Sequence, residues 1–124
     1  MKLISVFAII WMLVACGSGS EGLSAKDQLQ GELFKVARIN GCIECHNLAS
    51  TVVGPSWKAV AERYKDVEIK NARSLLIESV KKGSKGKYYT WKGGDGMPGL
   101  EKRVSEDAIF KLVDLILALN RGEK

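Results

Sequence analysis

The residues best suited to chemistry lie in one short run, Cys42-Ile43-Glu44-Cys45-His46. Two thiols in a single turn can add to the two vinyl groups on one side of a haem, and the imidazole that follows can bind the iron. The order Cys-x-x-Cys-His is the pattern of covalent haem attachment. The sequence therefore predicts one covalently attached haem c, held by Cys42 and Cys45 and ligated by His46.

Two other readings of this run are a thiol–disulfide redox pair and half of a zinc site. Zinc would need further ligands, but His46 is the only histidine and the third cysteine, Cys16, lies near the N-terminus. Redox dithiols usually follow a strand in a βαβ unit, whereas this run follows a predicted helix. Both alternatives are disfavoured relative to haem attachment.

Met97 is the candidate for the second axial ligand, because the strong ligands of haem iron are His, Met, Cys and Tyr. It is the only methionine beyond Met12, and it stands in the glycine-rich run Gly93–Gly99. Glycines let the backbone approach a flat cofactor closely, and Pro98 stiffens the turn. The alternative is a methionine that fills a gap in the core.

The elements that must position these residues are helices, because the apolar spacing is helical and no two-residue alternation is sustained. Serines suited to N-capping stand before three of the predicted helices, and a glycine-rich loop from Gly83 to about Arg103 separates the last two. We predict an all-α domain over residues 25–124. The predicted helices run from Ser24 to about Arg38, from Ser56 through Tyr64, from Asn71 to Lys82, and from Ser105 through Leu119.

The N-terminal residues predict export. Lys2 precedes the apolar run Leu3–Val14, which is too short to span a bilayer and is typical of a signal peptide over residues 1–15. Leu13-Val14-Ala15-Cys16 resembles a bacterial lipobox, so residues 16–24 are predicted to be a flexible tether with a lipidated Cys16. We expect a protein of the cell envelope, anchored to a membrane and facing the periplasm or exterior. An ordinary cleaved signal and a buried N-terminal helix are the alternatives.

Length and composition favour one globular domain. The chain has 124 residues, of which 46% are hydrophobic and 27% charged, with a formal net charge of +5. These values are typical of an ordinary globular domain of modest core size. A bound haem would add apolar contact area to such a core.

Taken together, these motifs resemble the short bacterial class I cytochromes c. That family implies the cytochrome c fold, in which three to five helices surround one haem. The resemblance spans about residues 29–119. It is carried by Gly41–His46, Val53–Trp57, Val60–Tyr64, Gly83–Gly86 and Met97.

The resemblance also implies roles for individual residues. Met97 would be the distal ligand, the Pro55 carbonyl would accept a hydrogen bond from His46, and Trp91 would donate one to a haem propionate. From the residues alone, Trp91 is as well explained by packing with its aromatic neighbours. Phe34 stands further from Cys42 than the family's aromatic does, so its usual contact with the last helix is not expected.

A six-coordinate iron has no open position for a small substrate, so the ligand pair predicts a one-electron carrier between membrane or periplasmic redox proteins rather than an enzyme. Neither a nucleic acid nor a small-molecule substrate is expected. A haem enzyme or gas sensor would require that Met97 be absent from the iron or readily displaced.

Five lysines crowd the segment leading to Met97, and they predict either docking to an acidic redox partner or a merely solvated face. They are Lys81, Lys82, Lys85, Lys87 and Lys92.

Overall fold

The computed structural model describes residues 22–84 and 96–121. Within these ranges the chain forms four α-helices and one 3-10 turn, with a single isolated bridge and no strand. The predicted all-α class is confirmed. The predicted sites at Cys16 and Trp91, with Lys85, Lys87 and Lys92, lie outside the described residues. The elements are α1 (Ala25–Ile39), the 3-10 turn (Cys42–Glu44), α2 (Trp57–Arg63), α3 (Ile69–Lys82) and α4 (Glu106–Ala118).

Three helices begin at the serines that the sequence predicts as N-caps. The hydroxyl of Ser24 accepts the Asp27 N–H at 3.1 Å, and the hydroxyls of Ser56 and Ser105 accept equivalent bonds at 3.1 and 3.3 Å. Each bond satisfies an N–H that has no partner within its helix, and each is worth about 1 kcal/mol.

Helix α3 begins at Ile69, two residues earlier than the predicted start at Asn71. The reason is the Glu68 carboxylate, which accepts the Asn71 N–H at 3.0 Å and so acts as the N-cap. Glutamate is not among the common N-capping residues, and for that reason the sequence pattern missed this start.

Helix α4 is central to the fold, because it packs against α1, α2 and α3. Its apolar residues enter two clusters. In the first cluster Leu112, Ile116 and Leu119 meet residues of α1 and α2, and in the second Ile109, Val113 and Leu117 meet residues of α3. Burial of each large apolar side chain stabilises the fold by about 1.5–3 kcal/mol. The partners are Leu33, Val36, Ala37, Trp57 and Ala61 in the first cluster, and Ala72 and Val80 in the second.

Phe34 lies on the outer face of α1, with 52% of its surface exposed. The fully buried positions on this helix are Leu33 and Ala37. The exposure of Phe34 agrees with the expectation that it does not pack in the usual way. In the part of the chain that the structure describes, no helix is both long and apolar enough to cross a membrane.

Candidate functional site

The run Cys42–His46 forms the single turn that its spacing predicts. Gly41 ends α1 in the left-handed region, with φ of 75°, a conformation that favours glycine. The N–H groups of Cys45 and His46 both donate to the Cys42 carbonyl, at 3.3 and 3.0 Å. The two thiols and the imidazole are thus carried by one compact turn next to the end of α1.

A second segment is hydrogen-bonded to the backbone on both sides of His46. The Gly54 N–H donates to the Cys45 carbonyl at 2.7 Å, and the Trp57 N–H donates to the Asn47 carbonyl at 3.0 Å. These two bonds bring the start of α2 against the turn. They fix the backbone of the candidate ligand before any cofactor is considered.

The His46 ring has a defined hydrogen-bond partner. Its Nδ1 lies 2.7 Å from the Pro55 carbonyl oxygen, as the family resemblance implies. A carbonyl oxygen only accepts, so Nδ1 carries the proton and donates it. The neutral imidazole then keeps its lone pair on Nε2, the nitrogen that can bind a metal.

Gly54 lies directly against the imidazole of His46. A Cβ at this position would stand 2.6 Å from Cε1 of the ring, closer than real Cβ atoms come to other heavy atoms, and 3.1 Å from Nε2, which is a tight contact. Any residue other than glycine would displace the ring or the loop. The sequence analysis used this glycine only as part of a family motif and missed its contact with His46.

Trp57 supplies a ring beside His46. The two ring centroids are 6.2 Å apart and the ring planes differ by 20°, which falls within the offset-stacked range. The sequence analysis used Trp57 only as part of the family motif Val53–Trp57 and of the predicted helix that follows Ser56. No periodic signal indicates this contact, because it depends on how the loop after His46 returns to the start of α2.

The cysteines differ in environment. Cys42 is buried and Cys45 is exposed, and both are free thiols. Burial raises the pKa of the Cys42 thiol above its ordinary value. Burial and a raised pKa make Cys42 a poor nucleophile, so Cys42 is not suited to be the attacking thiol of a redox pair.

Met97 packs against the second cluster, where it is half-buried. Its backbone forms a reciprocal pair with Ser84: the Met97 N–H donates to Ser84 Oγ at 3.2 Å, and the Ser84 N–H donates to the Met97 carbonyl at 3.0 Å. Gly83 and Gly96 both have positive φ, at 86° and 81°. Gly83 directly precedes Ser84 and Gly96 directly precedes Met97, so each glycine allows the chain to turn just before one member of the pair.

The segment after Met97 covers the end of α3. The N–H groups of Leu100 and Glu101 donate to the carbonyls of Val80 and Lys81, at 2.9 and 3.2 Å. Carbonyls in the last turn of a helix have no partner within the helix, so these bonds satisfy them. The position of Met97 is therefore tied to the C-terminal end of α3.

Of the predicted site residues, the structure brings together Cys42, Cys45, His46 and Pro55, on the side of the first cluster. It places Met97 in the second cluster, which shares α4 with the first. Among the described residues no group of three His, Cys, Asp or Glu side chains could hold a metal ion by itself. The residues present fit haem c: two thiols on one turn, an imidazole with a free Nε2, and a glycine at the ring face.

Two lysines of the predicted docking cluster have acidic neighbours. Lys81 pairs with Glu106 of α4 at 2.6 Å, and Lys82 lies 3.5 Å from Glu78 on its own helix. The hydrogen bond that Lys81 donates to the Glu106 carboxylate raises the pKa of Lys81. Both charges are partly neutralised within the protein.

Four described helices and a Cys-x-x-Cys-His turn whose histidine is held by the Pro55 carbonyl are typical of a small cytochrome c. The chain is 37% identical over 84 residues to cytochrome c-552 of Nitrosomonas europaea, covering 68% of this chain and 75% of that protein. It is 29% identical over 86 residues to cytochrome c2 of Rhodocyclus tenuis, covering 69% of this chain and 90% of that protein. No protein-family model matches the chain.

Solved structures agree with these relatives. The crystal structure of the Nitrosomonas europaea cytochrome c552 superposes with a TM-score of 0.59 at 35% identity, covering 69% of this chain and 98% of that one. The class 1 cytochrome MtoD of Sideroxydans lithotrophicus superposes with a TM-score of 0.58 at 34% identity, covering 73% and 95%. This chain belongs to the class I monohaem cytochromes c, electron carriers that bind one covalently attached haem c.

Proposed function

We propose that Cys42 and Cys45 form the thioether bonds to haem c, that His46 and Met97 are its axial ligands, and that the protein shuttles single electrons without catalysing a reaction of its own. The observation that carries this proposal is the His46 ring, whose Nδ1 is held by the Pro55 carbonyl so that Nε2 is left to bind iron. When bound, the haem supplies a one-electron iron couple.

The residues of this chain would tune that couple. The Pro55 carbonyl polarises the imidazole and makes Nε2 a better donor. A neutral Met97 thioether favours the reduced iron, which raises the reduction potential. Two filled axial positions leave no coordination site for a substrate, and this supports a carrier rather than an enzyme.

Haem staining after denaturing electrophoresis tests the attachment. We expect the full-length protein, matured in a host that attaches haem c, to give a stained band. The double variant Cys42→Ser, Cys45→Ser should give none. Cys16→Ser is the matched control, since it removes the third thiol and should keep the stain. An unstained wild-type band would refute the proposal.

Trp91 is proposed to donate a hydrogen bond to a haem propionate, a role that the family resemblance supports. Trp91→Phe removes the donor and keeps an aromatic ring, so the reduction potential should shift while the haem stays attached. An unchanged potential would leave Trp91 as a packing residue.

The lipid anchor at Cys16 and the envelope location are supported by the sequence around that cysteine. We expect wild-type protein in the membrane fraction and Cys16→Ser in the soluble fraction. Acyl chains hold a domain by about 0.8 kcal/mol per buried methylene. Wild-type protein found in the soluble fraction would indicate an ordinary cleaved signal.

An acidic redox partner is proposed on the lysines near Met97. Lys81 and Lys82 have acidic neighbours that reduce their net charge, so the test of steering uses Lys85 and Lys87. The second-order rate of electron transfer should fall as salt rises, and Lys85→Glu with Lys87→Glu should slow it further. A rate indifferent to both changes would contradict electrostatic steering.

A further inference from the structure

Trp57 is a large buried side chain at the first residue of α2, with 3% of its surface exposed. It belongs to the first cluster, yet it also lies beside the candidate iron ligand. The centroids of the Trp57 and His46 rings are 6.2 Å apart, and the two ring planes differ by 20°. A packing role explains its burial. It does not require the two ring planes to be aligned.

The rotation of an imidazole about its Cβ–Cγ bond has broad minima, so the local backbone does not fix the plane of the ring. The hydrogen bond from Nδ1 to the Pro55 carbonyl anchors one atom of the ring. Gly54 fills the space beside Cε1. A flat, rigid neighbour at 20° to the imidazole restricts the tilt that these two contacts leave open.

Backbone hydrogen bonds place residue 57 next to His46 independently of the indole side chain. The Trp57 N–H donates to the Asn47 carbonyl, and the Lys58 N–H donates to the Leu48 carbonyl, each at 3.0 Å. The Ser56 hydroxyl caps α2 by accepting the Ala59 N–H. None of these bonds uses the side chain at position 57, so a substitution there removes the ring contact and keeps the backbone frame.

We propose that Trp57 is a positioning residue for the axial ligand: its indole fixes the orientation of the His46 imidazole plane, and through it the electronic asymmetry of the bound haem. The proposal rests on the axial role of His46 proposed above. It assigns to Trp57 an effect on the iron centre that is separate from its share of core stability.

Three variants of the haem-loaded protein test this. Trp57→Leu keeps an apolar side chain but removes the ring, and Trp57→Phe keeps a ring plane at the same position. Leu33→Ala is the matched control, because Leu33 is fully buried in the same first cluster as Trp57 and its truncation lowers stability while the indole is kept. The readouts are the hyperfine-shifted haem methyl resonances of the ferric protein, which depend on the planes of the axial ligands, and the reduction potential.

We expect Trp57→Leu to redistribute the methyl shifts and to move the potential, Trp57→Phe to resemble wild type, and Leu33→Ala to lose stability with both readouts unchanged. Equal effects of Trp57→Leu and Leu33→Ala would overturn the positioning role, and so would equal effects of Trp57→Leu and Trp57→Phe. Should Trp57→Leu fail to mature, the wild-type ferrous protein still decides: nuclear Overhauser contacts between the indole and imidazole protons support the proposal, and their absence overturns it.

Failure of this inference is distinguishable from failure of the proposed function. A wild-type protein without covalently bound haem refutes the proposed attachment by Cys42 and Cys45. A stained protein whose methyl shifts ignore the residue at position 57 refutes only the role of Trp57.

Discussion

The two sides of the candidate haem site are built differently. On the His46 side, the ligand is held by residues 54–57, which follow it closely in sequence and contact its ring and both neighbouring carbonyls. On the Met97 side, the described contacts of the backbone are with Ser84 and, through Leu100, with the end of α3. The His46 side is a short loop closed by its own hydrogen bonds, whereas the Met97 side is a segment hydrogen-bonded to the end of α3.

The two sides of the site therefore depend on different parts of the fold. Contacts close in sequence cost little chain entropy to form, so the His46 side can be organised before the rest of the domain packs. The Met97 side requires α3 and the second cluster to be in place. We therefore expect changes at residues 54–57 to reduce assembly with haem, and changes to Met97 or to the Ser84 hydroxyl that holds it to alter ligation while the haem remains attached.

The largest expected effect comes from Gly54→Ala. Its Cβ would meet Cε1 of His46 at 2.6 Å, so the imidazole or the loop must move. Overpacking of this kind costs about 1–3 kcal/mol, and here it falls on the ligand itself. We expect a strong loss of haem-loaded protein, measured as haem absorbance per unit of purified protein.

Gly31→Ala is the matched control for this change. Gly31 lies within α1, and a Cβ there would meet nothing within 4 Å. Alanine is favoured over glycine in a helix by about 0.5–1 kcal/mol, so this variant should be at least as stable as wild type. Equal haem content in the two variants would mean that the ring of His46 tolerates displacement and that its side of the site is not rigid.

Met97→Ala should have the next largest effect, and it tests the other side. The haem should stay attached, because attachment depends on Cys42 and Cys45. The reduction potential should fall and the ferrous protein should bind carbon monoxide, since one axial position is then open. Optical titration and carbon monoxide difference spectra measure these changes.

Leu100→Ala provides the control for Met97→Ala, because Leu100 packs on the same second cluster and has no atom that ligates iron. It should lower the free energy of unfolding without opening the iron. If Met97→Ala behaves in the same way as Leu100→Ala, Met97 is a core residue and the distal ligand lies elsewhere.

The same contrast explains what the sequence predicted and what it did not. The turn at Cys42–His46 and the caps at Ser24, Ser56 and Ser105 follow from local chemistry, and all were predicted from residue types and spacing. The contacts of Gly54 and Trp57 with His46 were missed, because they arise from the return of a loop that has no periodic pattern. The early start of α3 at Ile69 was missed because its N-cap, Glu68, is of an unusual type for that position.

A smaller effect is expected for Ser84→Ala. This change removes the hydroxyl that accepts the Met97 N–H and keeps the backbone bond from residue 84 to the Met97 carbonyl. The loss of one such hydrogen bond costs about 0.5–1.5 kcal/mol. We expect faster binding of added imidazole to the ferric protein, since the Met97 segment would open more often, while the haem content stays unchanged.

Ser79→Ala is the control for Ser84→Ala. Its hydroxyl donates to the Leu75 carbonyl within α3, away from Met97. Imidazole should bind this variant at the wild-type rate. If both serine variants bind imidazole equally fast, the reciprocal pair of Ser84 and Met97 does not hold the ligand segment closed.

The smallest expected effect concerns the ion pair between Lys111 of α4 and Glu32 of α1, which joins two helices of the first cluster at the surface. The hydrogen bond and charge of Lys111 lower the pKa of Glu32 below its ordinary value of 4.5. A carboxyl group whose pKa is lowered by folding stabilises the folded state fully at pH values above its ordinary pKa. This stabilisation is lost as the pH falls through the lowered pKa of the folded state. Lys111→Met should therefore reduce the midpoint of urea unfolding slightly at neutral pH, and the difference from wild type should shrink as the pH falls below 4.5. High salt should shrink this difference as well, because an exposed pair is screened.

Arg73→Met is the comparison variant, in the ion pair between α3 and α4. Arg73 pairs with Asp114 at 2.6 Å and lies over the Phe110 ring, so its removal should lower the unfolding midpoint more than that of Lys111. If Lys111→Met lowers the midpoint by the same amount at low and neutral pH, the loss comes from the packing of its methylene chain and not from its charge.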